Sequence, residues 1–161
     1  MATNPSNIFD TAGIRLKEDA CVVIVRTAWN AEIVDKLEEG AARVLASHQI
    51  RVETVTVPGA VEIGFAIQHH YRSVAHKPDA YIALGCVLRG GTPHFEFVSK
   101  AVTDAVNQLN LTLPVPTIFG VLTVDNKQQA TERIGGSHGH KGEEAAVTAI
   151  HMIHWSSSLK V

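Results

Sequence analysis

The chain has 161 residues, a formal net charge of −2 and only 19% charged residues, which suits one domain able to bury roughly two thirds of its unfolded surface. With no basic block, a nucleic-acid partner is not expected, and charge below the usual ~25% points to surface covered in a homo-oligomer. No run resembles a membrane span or a secretory leader, so the expected location is the cytoplasm; Cys21 and Cys86, far apart inside apolar runs, read as buried thiols rather than a disulfide or zinc site.

Residues 1–19 read as a polar arm in front of a domain spanning 20–161, and Gly13–Leu16 leaves open an extra edge strand. Ala20–Arg26 is the first strand, followed by Trp29-Asn30 and a helix with Ile33, Leu37, Ala41, Val44 and Leu45 on one face. Arg51–Val57 is the second strand, Pro58-Gly59 its exit, and Ala60–Tyr71 a helix. Ala80–Leu88 is the third strand; Arg89 to Phe95 leads into a helix marked by Val98, Ala101, Val102, Ala105, Val106 and Leu109. Pro114 and Pro116 stop that helix before the fourth strand, Thr117–Leu122. A short helix over Asn126–Arg133, a flexible connector through Gly136–Gly142 and a final helix to Leu159 complete the pattern.

Near-continuous apolar strands alternating with helices predict an α/β fold with a four-stranded parallel sheet covered on both faces. The unusual residues gather in the strand-to-helix loops, at the carboxyl edge where such sheets bind ligands. Gly90-Gly91 permits close backbone approach, Thr92 suits an N-cap, and a helix start there favours a phosphate. His94, in the first turn, is a candidate proton acceptor, since neutral imidazole takes a proton near pH 7. Arg133 offers a forked donor for phosphate or is a plain surface cation, and Trp29 either stacks on a planar ring or belongs to the core. Glu62 either holds a ligand hydroxyl or serves as a favourable first-turn acid. His138-Gly139-His140 lacks a third metal ligand, so no metal site is assigned.

Taken jointly, Trp29-Asn30, Val57-Pro58-Gly59-Ala60-Val61-Glu62-Ile63, Leu84 through Phe95 (LGCVLRGGTPHF), Ile118 through Thr123, Glu132-Arg133 and Lys141-Gly142 resemble the lumazine synthase family in order and spacing, over about residues 20–158. The resemblance implies a flavodoxin-like three-layer αβα sandwich. It also implies a transferase of riboflavin biosynthesis that condenses 5-amino-6-(D-ribitylamino)uracil with 3,4-dihydroxy-2-butanone 4-phosphate to 6,7-dimethyl-8-ribityllumazine, with no cofactor or metal. By the same resemblance, Trp29 stacks on the pyrimidine, Ala60, Val61 and Glu62 line the ribityl side, and Cys86, Val87 and Leu88 supply backbone and apolar contacts. Gly91, Thr92 and Arg133 hold phosphate, His94 transfers protons, Phe119 arrives from a neighbouring subunit, and Asn30 and Lys141 lie alongside. Homopentamers, twelve of them in a sixty-subunit icosahedral capsid, and riboflavin synthase are the partners the family suggests; Cys86, where Thr is frequent, and the histidines of Gly135–His140 depart from its usual pattern. A non-catalytic lumazine or flavin binder, a shell-forming storage protein and an electron carrier are the competing readings.

Overall fold

A strand that is apolar at every position can only be satisfied where both faces of its sheet are covered. The computed structural model describes residues 9–159 and uses the Val- and Ile-rich runs in that way. Strands β1 (Cys21–Thr27), β2 (Arg51–Val57), β3 (Ala80–Leu88) and β4 (Thr117–Val124) form one parallel sheet in the order β2-β1-β3-β4. Helices α1 (Ala31–Ser47), α2 (Ile63–Ser73), α3 (His94–Thr112), α4 (Lys127–Thr131) and α5 (Lys141–Ser158) fill the connections. Alternate side chains of the central strands feed two separate cores. Val22, Ile24, Ile82 and Leu84 pack with Leu37, Ala146 and Ile150 of α1 and α5. Val23, Val25, Tyr81 and Ala83 pack with Ile63, Ile67, Val102 and Val106 of α2 and α3. The result is the three-layer sandwich with the doubly wound strand order 2-1-3-4.

Some polar groups inside these layers are paired across elements, while Arg26 Nε and Thr117 Oγ1 have no partner among the described residues. The buried Tyr81 hydroxyl lies 2.8 Å from His70 Nδ1, and Arg26 on β1 reaches Asp35 at 2.5 Å and Glu38 at 2.6 Å on α1. Such pairing offsets the cost of burying that hydroxyl and that charge. The described part of the arm folds against the sheet's amino edge: Ile14 and Leu16 touch the core, and Lys17 meets Asp79 at 3.0 Å. Gly13–Leu16 has no ladder partner and adds no strand to the sheet; residues 1–8 of the predicted arm lie outside the described residues.

Three local readings change. The second helical segment opens with a 3₁₀ turn, Ala60–Glu62, before α2 begins. The fourth helix ends at Thr131, so Arg133 lies beyond it. The connector expected to be flexible is a two-stranded antiparallel hairpin, β5 (Ile134–Gly136) with β6 (Gly139–His140). Gly139 at φ +76° turns the chain where other residues would be strained. His140 then caps α5 by accepting the Glu143 N–H at 3.3 Å.

α1 and α5 cross backbone to backbone at Gly142, where any Cβ would overlap the Leu37 carbonyl. Gly142→Ala is expected to lower the urea midpoint by an amount equivalent to about 1–3 kcal/mol, the usual cost of overpacking. Gly90→Ala, whose added methyl meets nothing within 4 Å, is expected to change it by less than about 0.5 kcal/mol.

Candidate active site at the carboxyl edge of the sheet

Parallel pairing does not stop where the strands end. Ala28 N–H donates to Val57 O at 2.7 Å and Trp29 N–H to Pro58 O at 3.1 Å, so the exits of β1 and β2 run on together. The buried Thr27 hydroxyl donates to Trp29 O at 3.1 Å. Asn30 takes a left-handed conformation, φ 57°, from which its Nδ2 donates to Cys86 O at 2.7 Å and ties the exit of β1 to β3. The Trp29 ring lies over Gly59, where a Cβ would stand 2.9 Å from two ring carbons. Trp29 is 69% exposed, so it is a platform and not core. Beside it, Gly59 N–H donates to Glu62 Oε2 at 3.0 Å, so the Glu62 side chain reaches back to the start of the turn as the N3 acid of a capping box does. Ala60 is buried, while Val61 and Glu62 are exposed.

At the exit of β3, Cys86 and Val87 are buried and Leu88 half-buried. Burial pushes the Cys86 thiol up to about 11, so at neutral pH it is a protonated, weakly polar wall rather than a nucleophile. Gly90 through His94 are all exposed. Pro93, not Thr92, holds the N-cap position of α3. The Thr92 hydroxyl is 3.5 Å from His94 N, at the limit of a hydrogen bond, which leaves that hydroxyl available outward. His94 itself opens α3.

The remaining candidates form a second group. Phe119 sits on the edge strand opposite Ala83, five residues before the end of β4 and hence about 16 Å from the carboxyl edge. It is 42% exposed and lines a groove of about 810 Å³ along the free side of β4, together with Lys141, Glu144, Met152 and Trp155. Lys141 Nζ bonds Glu144 at 2.7 Å, and its main-chain N–H donates to Arg133 O at 2.8 Å. Arg133 is half-buried, with Nη1 on Gln129 O at 2.8 Å. Trp29 through His94 therefore converge at the carboxyl edge, whereas Phe119 does not join them within one chain.

Thr27 and Gly59, which seat Trp29, were missed as site residues. A Thr closing an apolar strand and a Gly at the opposite exit were the available signals. His138 and His140 serve local structure: His138 is 3.8 Å from Glu132, and His140 caps α5. Among the described residues, no group of three or more His, Cys, Asp or Glu side chains converges as a metal site, and no helix is long and apolar enough to cross a membrane.

The family model described as 6,7-dimethyl-8-ribityllumazine synthase matches residues 19–157. Among curated relatives of that name, the protein from Parabacteroides distasonis is 41% identical over 98% of this chain and 100% of its own length. Those from Cytophaga hutchinsonii and Bdellovibrio bacteriovorus are 45% and 46% identical over 81% and 82% of this chain, and over 82% and 73% of their own lengths.

Cys86 provides a check on this environment. Raising a thiol from 9.0 to about 11 lowers its thiolate fraction at pH 8 about a hundredfold. In a Cys21→Ala background, alkylation of Cys86 is expected to be at least that much slower in the native protein than in urea. The native rate should climb with pH until about 11, as the thiol ionises.

Proposed function

The chain belongs to the 6,7-dimethyl-8-ribityllumazine synthase family, and from that premise we propose where and how it performs the reaction. It is a transferase of riboflavin biosynthesis that condenses 5-amino-6-(D-ribitylamino)uracil with 3,4-dihydroxy-2-butanone 4-phosphate. The observation that carries the site assignment is the lacing of three loop exits: Trp29 on Pro58, Asn30 on Cys86 and Gly59 on Glu62. They form one floor beside the exposed start of α3.

On that floor the pyrimidine stacks on Trp29, and Glu62 receives ribityl hydroxyls through the oxygen not engaged by Gly59. Ala60 and Val61 line the chain, and Cys86, Val87 and Leu88 border the ring, with Asn30 fixing their main chain. Gly91, Thr92 and Arg133 hold phosphate. The amine attacks the ketone and water leaves, giving an imine. His94 takes a proton from the hydroxyl-bearing carbon, and phosphate departs as inorganic phosphate to leave an enol. The enol takes up a proton at its terminal carbon and becomes a new ketone, and attack of the second nitrogen on that ketone closes the ring with loss of a second water. Because holding two reactants together lowers the barrier substantially by itself, His94 accelerates the sequence without being indispensable.

Phe119 stands too far along β4 to serve its own chain's loops, which supports a site completed by a second copy, Lys141 lying beside Phe119 in the same groove. A head-to-tail contact of this kind is heterologous and forms a ring where its rotation closes. A homopentamer of 17.4-kDa chains accounts for it, with twelve pentamers in an icosahedral capsid as the larger assembly and riboflavin synthase as a further partner. Residues 20–161 form the synthase domain, residues 1–19 an arm, and the enzyme works in the cytoplasm without a cofactor.

Mixing both substrates with the purified protein and following lumazine absorbance tests this. His94→Ala is expected to cost about ten- to a hundredfold in kcat. Arg133→Ala is expected to raise KM for the phosphate-bearing substrate about tenfold or more, the worth of a charge-assisted hydrogen bond. Absent turnover with retained ribityl-ligand binding would instead assign a non-catalytic binder or storage shell.

Two further measurements test the assembly. Light scattering should give about 87 kDa for five chains of 17.4 kDa, or a multiple of it. Co-refolding equal amounts of His94→Ala and Phe119→Ala chains should restore roughly one site in four, because a heterologous ring mixes them at random. No recovery would argue against the shared site.

A further inference from the structure

The loop between β3 and α3 has almost nothing beneath it. A Cβ placed on Gly90 or Gly91 would meet no heavy atom within 4 Å, and Thr92 and Pro93 are exposed. Two glycines in open space should leave the loop poorly placed. What spans it is Arg89. Its main-chain N–H extends the sheet by donating to Val124 O at 2.9 Å. Its Nε donates to Asp125 Oδ1 at 2.7 Å and its Nη1 to Glu96 Oε1 at 2.6 Å. The guanidinium carbon lies 4.1 Å from the centre of the Phe95 ring.

We propose that Arg89 is a positioning residue for the phosphate-holding loop: its guanidinium braces the loop from both ends and is not itself a phosphate ligand. Asp125 anchors one side and Phe95 with Glu96 the other, so the chain between them, Gly90 to His94, is held at its two ends. Two carboxylates already occupy the fork, and its planar, multi-donor geometry is what lets one side chain serve both and stack as well. Asp125 is held in turn by α4, its N–H donating to Gln129 Oε1 at 2.8 Å. Exposed ion pairs add little to global stability, so the effect of the brace falls on loop placement rather than on the fold. Small misplacements of substrate-holding groups carry large kinetic costs.

This inference rests on the reading of Gly91, Thr92 and His94 as phosphate and proton-transfer residues. Steady-state kinetics of the full-length assembly with both substrates, with inorganic phosphate as a product inhibitor, tests it. Arg89→Ala is expected to raise KM for the butanone phosphate and Ki for inorganic phosphate, each on the order of tenfold. KM for the ribitylaminouracil and the melting temperature should stay near parental.

Asp125→Ala and Glu96→Ala decide between brace and ligand, and keep the test alive should Arg89→Ala misfold. A brace predicts that both raise the same KM, and that Arg89→Ala/Asp125→Ala is no worse than Arg89→Ala. An unchanged or lowered KM in Asp125→Ala and Glu96→Ala would mean a freed guanidinium binds phosphate directly, and would overturn the proposal, as would parental constants for Arg89→Ala. Thr92→Ala and His94→Ala run alongside. If they too are parental, the site reading itself fails; if they are impaired while Arg89→Ala is not, only the brace fails.

Discussion

The in-step parallel pairing of β1 with β2 and β3 governs the rest of the molecule. Val22 faces both Val52 and Ala80, and Arg26 both Thr56 and Leu84, so the strands advance together and leave the sheet on one side. Parallel strands need a crossover between them, and each crossover begins at that same edge. Loops that carry polar and glycine-rich sequence are therefore forced into one neighbourhood. The ladder also outlasts the strands: the bonds from Ala28 and Trp29 to Val57 and Pro58 are the same pattern continued into the loops.

The strands and their parallel arrangement were legible because Val22–Val25 and Tyr81–Leu84 are apolar without alternation, which only a sheet buried on both faces accommodates. The gathering of loop residues at the carboxyl edge was legible for a related reason: Trp29, Pro58-Gly59 and Gly90-Gly91 stand just past those runs. Contacts between distant segments were not. Nothing in Asn30 announces a left-handed backbone whose amide reaches Cys86, and a Glu three residues after Gly59 reads equally as a ligand group or a cap. The hairpin over 134–140 was hidden because glycine-rich sequence signals a turn without saying whether its flanks pair. The assignment of Phe119 to the site rests on family resemblance alone, since its register on an edge strand keeps it away from the loops.

The two faces of the sheet are built differently. On the α1 and α5 side, Ala41, Ala145, Ala146 and Ala149 join Gly142 in letting two helix backbones approach closely. On the α2 and α3 side, Tyr81, Ile63 and Ile67 supply bulk, and Phe65 and Phe97 remain largely exposed on the same two helices. Exposed aromatic surface of this kind accords with the low charge content and with the proposed homo-oligomer.

The laced loop exits bear on the thermodynamics of ligand capture. Trp29, Asn30 and Glu62 are fixed by main-chain and side-chain bonds before anything binds, so on the proposed assignment a planar ring and its polyol meet a preset surface and spend little conformational entropy there. The Gly90–Thr92 segment is held from outside by exposed ion pairs, which salt screens. On that assignment the entropic penalty of binding is concentrated at the Gly90–Thr92 end. Raising ionic strength would loosen that end while the heat-capacity change from covering the apolar ring floor stays the same. One site thus joins a rigid half that recognises shape to a softer half whose order depends on the surrounding electrolyte.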